Sequence, residues 1–408
     1  MRLPLSLIIS IAFGATFVNA SSERIQASCT LTASGGDDSP RFLEAVASCS
    51  SVVIPKDTTL NIATRLNMTG LCDKTIDLQG TLRFAPDIPY WTGNGFFISF
   101  QTQITFWLFG GRNILLKGGG TLDGAGQAWY DALSANSTLL RPIILTVSQA
   151  NGAVVENITM INSPEWHNLI IESENVLYQN VTINAASTSS NRPANTDGWN
   201  IYRSDGVTIR DSVINNGDDC VAFKPNATNV LVSNLDCNGS HGISVGISLF
   251  FRLWILSSVG QFPGVFDIVK NVTAINIKMS NAENGARIKA WAGPNVGSGI
   301  VENITFQNFI ESEVDNPVII DQCYETDAAT CAQFPSNVEI QDVWFNNISG
   351  TSTGSVVAEI SCSPDGRCSN INVNDLSLSP HSGTATYTCQ NVVLGGNSAS
   401  LFPTCTVT

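Results

Sequence analysis

Seven phrases recur along the chain: VENITMIN, YQNVTIN, SDGVTIRDS, ATNVLVSN, VKNVTAIN, VENITFQN and IQDVWFNN. In each, a turn residue precedes alternating β-branched and polar positions, the period-two pattern of a strand with one buried face. Val181 to Val207 spans 26 residues and Val207 to Val230 spans 23, with longer gaps later, where loops are inserted on one side. Short strands at such a period, rich in Asn and Gly and poor in helical periodicity, predict the coils of a right-handed parallel β-helix. A β-sandwich is the alternative, but it calls for two-residue hairpins between neighbouring strands, and these phrases are not separated that way. The expected fold is all-β, a single elongated solenoid with Val, Ile and Leu stacked through its core. Asn at the repeated turns is expected to stack and hydrogen-bond along the axis. The stretch DDSPRFLEAVASC departs from the pattern and predicts a short N-terminal helix, capped by Ser39 with Pro40 at its first position, closing the open end of the solenoid.

Composition adds a compartment. Residues 1–20 hold Arg2, an apolar run, and Val18 and Ala20 at small-residue positions, which reads as a secretory signal ending near Ala20; a membrane anchor is the weaker reading. The β-helix domain is then 21–408, secreted, with no later segment apolar enough to span a bilayer. Eleven cysteines suit an oxidising compartment. Cys323 with Cys331 and Cys362 with Cys368 would close short loops; Cys220 with Cys237, Cys389 with Cys405 and Cys29 with Cys49 are further pairings, and Cys72 is left over. With no C-x-x-C pair and three histidines, cysteine-bound metal is not expected. N-x-[ST] sequons stand at Asn67, Asn136, Asn157, Asn180, Asn226, Asn238, Asn271, Asn303 and Asn347, candidate glycosylation sites that also arise from strand-and-turn composition. The formal charge of −14 becomes −15 once Arg2 leaves with the signal, which argues against a nucleic-acid partner.

The stretch NNGDDCVAFKP sets Asp218 and Asp219 side by side. Neighbours on a strand point to opposite faces, so the pair either sits at a turn or marks a site. On rungs about 4.8 Å apart, residues one coil apart in sequence stand one above another. Asp197 in NTDG precedes Asp218 by twenty-one residues, and His241 in GSHG follows Asp219 by twenty-two. Three successive rungs would then present Asp197, the Asp218 and Asp219 pair, and His241 on one face. In ARIKAWAG, Arg287 and Lys289 share one side of a strand while Ile288 faces the core. Carboxylates beside a cationic patch suit hydrolysis of an acidic glycan: a protonated carboxyl donates to the leaving oxygen, ionised ones activate water, and the cations grip a sugar carboxylate. Plainer readings stand beside these. Asp197, like Asp123 and Asp205, suits a turn; His241 is flanked by glycines; Arg287 and Lys289 would suit a solvated strand face. Trp166 and His167 either line a sugar subsite or pack, and His381 receives no role.

In their order and spacing, NTDG, GDD, GSHG and RIK resemble glycoside hydrolase family 28, the polygalacturonases. PYWTGNGFFISFQTQITFWLFGG, GGGTLDGAGQAWYD and CNGSHGISVG look like its fungal exo-acting branch. The resemblance covers nearly the whole of 21–408. It implies an inverting mechanism needing no cofactor, with Asp218 as proton donor and Asp197 and Asp219 activating the water. It further implies that His241 supports the ionisation of the acid and that Arg287 and Lys289 bind galacturonate. The implied partner is pectic homogalacturonan, acted on by a secreted monomer with no membrane attachment. An exo-hydrolase for rhamnogalacturonan, a calcium-dependent pectate lyase and a noncatalytic glycan-binding solenoid are the alternatives. One stretch departs from the family pattern. The apolar run at 247–259 is about eleven residues longer than the pattern wants. It reads as unspliced sequence rather than a functional loop; as genuine protein it would reshape the groove near His241.

Overall fold

The computed structural model describes residues 28–96, 98, 103–246 and 259–407. The expected signal and all but Val259 of the apolar run therefore lie outside the described residues; Val259 is fully buried. Among the described residues, 25 strands pair in parallel into one continuous sheet that winds as a right-handed β-helix. One inward column runs Ile170, Ile201, Phe223, Val245, Ile288 and Ile320, each in register with the next and none exposed. Burying each such side chain is worth about 1.5–3 kcal/mol, so the stack itself carries the fold.

The corners are made by asparagine. Asn157, Asn180, Asn234, Asn276, Asn308 and Asn347 all adopt φ between 51° and 57°, a left-handed conformation that Asn tolerates better than most residues. Their amides bond along the axis: Asn180 to Asn157 (2.6 Å), Asn276 to Asn234 (3.0 Å), Asn308 to Asn276 (2.9 Å) and Asn347 to Asn308 (2.9 Å). A second column passes through Asn229, Asn271 and Asn303. Long strands therefore carry two corners a few residues apart, such as Asn175 and Asn180, and each asparagine corner named here is followed by a buried apolar residue. This corrects the register read from sequence. Val207 pairs with Val176, 31 residues back, and not with Val181, because the two similar phrases belong to different corners.

The helix Ser39–Ser48 packs Phe42 edge-on against Trp107, ring centroids 5.7 Å apart. Its cap residue is Asp38 rather than Ser39, one position earlier than the sequence suggested. The cause is Asp37, whose carboxylate accepts from the Ser39 amide (3.0 Å) and hydroxyl (2.6 Å) and draws Ser39 into the first turn. Disulfides join Cys29 to Cys49, Cys220 to Cys237, Cys323 to Cys331, Cys362 to Cys368 and Cys389 to Cys405, and Cys72 is free and exposed.

One inward residue is a carboxylic acid. Glu311, on the strand Ser298–Val314, stands between Met279 and Gly350, is 2% exposed, and neither oxygen has a hydrogen-bond partner among the described residues. Burial pushes its pKa well above the ordinary carboxyl range. The folded state holds this proton more tightly than the unfolded chain does, so the gain is full below the unfolded pKa of about 4.3 and is lost as pH rises toward the folded value. Glu311→Gln removes that dependence. Its melting temperature should match wild type in acid and exceed it near neutrality; parallel curves across the range would refute the assignment.

Candidate active site

Four flat strands form the site wall: Trp199–Tyr202, Val221–Phe223, Ile243–Val245 and Asn284–Trp291. Trp199, Val221, Ile243 and Ala286 are register partners. Asp197, Asp219 and His241 each lie two residues before one of the first three, so they occupy one column. Asp219, rather than Asp218, is thus the rung neighbour of Asp197. Asp218 reaches the same face because the strand ends at Asn215 and the chain bends there. The Asn216 amide holds the bend, donating to the carbonyls of Thr196 (3.2 Å), Asp218 (2.9 Å) and Asp219 (3.0 Å). The adjacent acids thus sit at a turn that is also the site.

One oxygen from each of Asp197, Asp218 and Asp219 lies within 4.8 Å of the others. Three carboxylates this close do not all ionise readily, and their environments differ. Asp197 is 3% exposed, and burial, reinforced by Asp218 and Asp219, pushes its pKa well up, so it keeps a proton to higher pH than an ordinary aspartate. Asp219 is buried at least as deeply, 1% exposed; its oxygens accept from Ser244 Oγ (2.6 Å) and Lys289 Nζ (3.2 Å). Asp218 is the most open of the three, its side chain 14% exposed. Burial pushes its pKa up, but His241, Lys289 and the Asp219 amide outweigh that and bring it to about 2.

His241 lies between two carboxylates, Nδ1 3.4 Å from Asp218 and Nε2 3.5 Å from Glu283. Burial works against its charge, yet Asp218, Glu283 and Asp219 together raise its pKa to about 9. Lys289 is 1% exposed and engaged with Asp219, so it is no solvated strand residue. Its ammonium also lies 5.1 Å from the Tyr324 ring centroid, and the Arg287 guanidinium lies 5.2 Å from the same ring. Arg287, 8% exposed, keeps more surface than its neighbour. The left-handed Gly246 (φ +92°) lets the chain pass the Lys289 carbonyl, where a Cβ would clash.

Two site residues escaped the sequence reading. Lys224 is fully buried, its ammonium 4.2 Å above the Trp166 ring. Burial lowers its pKa to about 7 against the pull of Asp197 and Asp219. A lysine in the apolar run VAFKP, five residues past Asp219, was the available signal. Glu283 had none, because its approach to His241 depends on a 42-residue excursion. Trp166 and His167 pack rather than line a subsite: His167 is unexposed and its Nδ1 lies 3.2 Å from the Thr196 carbonyl. The triad has the donor set for a divalent cation. Lys289 and Lys224 already bring positive charge to these same carboxylates.

The chain is 43% identical over 382 residues to an exopolygalacturonase of Cochliobolus carbonum, covering 89% of this chain and 83% of that protein. It is 40% identical over 375 residues to a probable exopolygalacturonase X of Aspergillus fumigatus, covering 88% and 84%. Among solved structures it is similar to the endo-xylogalacturonan hydrolase of Aspergillus tubingensis, with TM-score 0.81, 30% identity, and coverage of 94% and 99%. With residues 46–400 matching Glycosyl hydrolases family 28, the chain belongs to that family.

Proposed function

We propose that this protein is a secreted exopolygalacturonase, hydrolysing terminal α-1,4-linked galacturonate from homogalacturonan. The observation that carries the reading is the acidic triad set against Arg287 and Lys289 on one wall, which pairs hydrolytic acids with a grip for a sugar carboxylate. The exo-acting names of the relatives at 40–43% identity support the mode of attack. No helix among the described residues is long and apolar enough to cross a membrane.

In this reading Arg287 and Lys289 bind the galacturonate carboxylate at the cleavage point. The bound anion offsets their positive field and shields Asp218 from water; both effects favour a proton on Asp218. The triad's single proton passes to Asp218 and on to the glycosidic oxygen as the C1–O bond breaks. Water attacks C1 and gives its proton to Asp197 or Asp219, restoring the count. Inversion follows from water attacking opposite the leaving group. Retention is the second reading, because carboxylates this close resemble the spacing of enzymes that form a glycosyl intermediate.

Digestion of defined oligogalacturonates should release monomer first, as the β anomer by proton NMR, at a rate unchanged by chelators. An α anomer would establish retention. An unsaturated product that disappears on chelation would make the protein a lyase, and binding without new reducing ends would make it a noncatalytic solenoid.

A further inference from the structure

The triad has a buried support that lies away from the substrate. Arg141, immediately before the strand Pro142–Ser148, is 2% exposed. Its Nη1 donates to the carbonyls of Pro164 (2.8 Å) and Ala194 (2.5 Å), and its Nη2 donates to Asn195 Oδ1 (2.7 Å). Asn195 donates in turn, from Nδ2, to Asp218 Oδ2 at 3.1 Å. One planar fork thus satisfies three acceptors on two different segments, which a lysine ammonium would not reproduce. Those segments matter: Pro164 leads into the buried Trp166 and His167, and Asn195 lies two residues before Asp197.

An amide has two chemically different ends. Next to a carboxylate, the Asn195 side chain is useful only with its NH₂ end forward, since the oxygen end would repel Asp218. Arg141 takes the oxygen and leaves the NH₂ end facing the acid. We propose that Arg141 is a positioning residue for the proton donor: it fixes the orientation of Asn195, and Asn195 fixes the carboxyl plane of Asp218. The same guanidinium pins the backbone that presents Asp197. Arg141 touches no substrate; it acts through Asn195.

The charged and titratable groups around the two ends of this relay overlap only at Lys224, which acts on both Glu165 and Asp218. Glu165, 6% exposed, and Tyr130 face Arg141. Asp197, Asp219, His241, Lys224 and Lys289 surround Asp218. Removing Asn195 leaves every one of them in place and takes away a donor that favours the ionised acid, so Asp218 holds its proton to higher pH.

This inference rests on Asp218 as the proton donor. Asn195→Ala and Arg141→Met should each lower kcat about 10–100-fold with KM within about twofold, and the basic limb of the kcat profile should move to higher pH. Because the two residues act in one chain, Arg141→Met/Asn195→Ala should cost no more than the worse single change. Arg141→Met takes from Glu165 the nearer of its two cations and leaves Lys224, so Arg141→Met/Glu165→Gln is measured beside it, with the folded fraction counted in each. Losses that multiply, or a kcat fall that only tracks the folded fraction with an unmoved pH profile, would overturn the relay. An inactive Asp218→Asn beside wild-type-like relay variants would sink the relay and leave the donor assignment standing. An active Asp218→Asn would remove the donor assignment itself.

Discussion

Asp218→Asn should lower kcat on trigalacturonate by roughly 10²–10⁴-fold while KM stays within about threefold. The amide keeps the shape and the groove surface of the acid, so the substrate binds as before and only proton delivery is lost. The lowered pKa of Asp218 shows that the folded state favours its charge, so the variant should lose some stability near neutral pH, and kcat is compared at equal folded fraction. A second readout lies on the neighbouring ring. His241 has a pKa of about 9, raised chiefly by its hydrogen bond and charge interaction with Asp218 against the opposing effect of burial. In the variant it should titrate closer to an ordinary histidine, as followed by imidazole NMR. Unchanged monomer release would exclude Asp218 as the acid; a raised KM with intact kcat would reassign it to binding.

Lys289→Met is expected to be the most destabilising single change at the site. Its ammonium and the Asp219 carboxylate are 1% and 2% exposed and 3.2 Å apart. Stripping one partner from a buried pair costs about 3–5 kcal/mol, because the other charge is left without compensation. Protonation relieves a stranded carboxylate, so the deficit measured by denaturant midpoint should be larger near neutral pH than in acid. Lys289→Met/Asp219→Asn should recover most of the stability and little of the activity, since the double variant mends the charge and discards both the water-activating acid and the cation. A single variant as stable as wild type would show that the pair is not held as the geometry implies.

The solenoid was legible in sequence because its corner chemistry repeats: a turn residue, most often Asn, followed by an inward apolar residue recurs from coil to coil. The position of the acids was legible for a related reason. Rungs on the site side are short and even, with Trp199, Val221 and Ile243 evenly spaced in register, so counting along the chain approximates climbing the helix. The register on the other side was misread at Val181 because two corners share one spelling. Asn195 stood in the NTDG phrase, one coil before Asp218, but spacing alone did not show its contact. Arg141 and Glu283 were invisible for a deeper reason: they meet the site across unequal loops, where separation in sequence carries no information about separation in space. The engaged state of Lys289 was equally hidden, since alternation tells which way a side chain points and not what it meets.

The corner asparagines also bear on how sugar attachment is to be studied. Asn180, Asn271, Asn303 and Asn347 each spend a side-chain N–H as an axial strut. Replacing any of them to delete an acceptor for glycan would remove a piece of scaffolding too, and a folding defect would be mistaken for the effect of a missing carbohydrate. Exchanging the hydroxyl two places on, at Thr182, Thr273, Thr305 or Ser349, silences the motif and spares the strut.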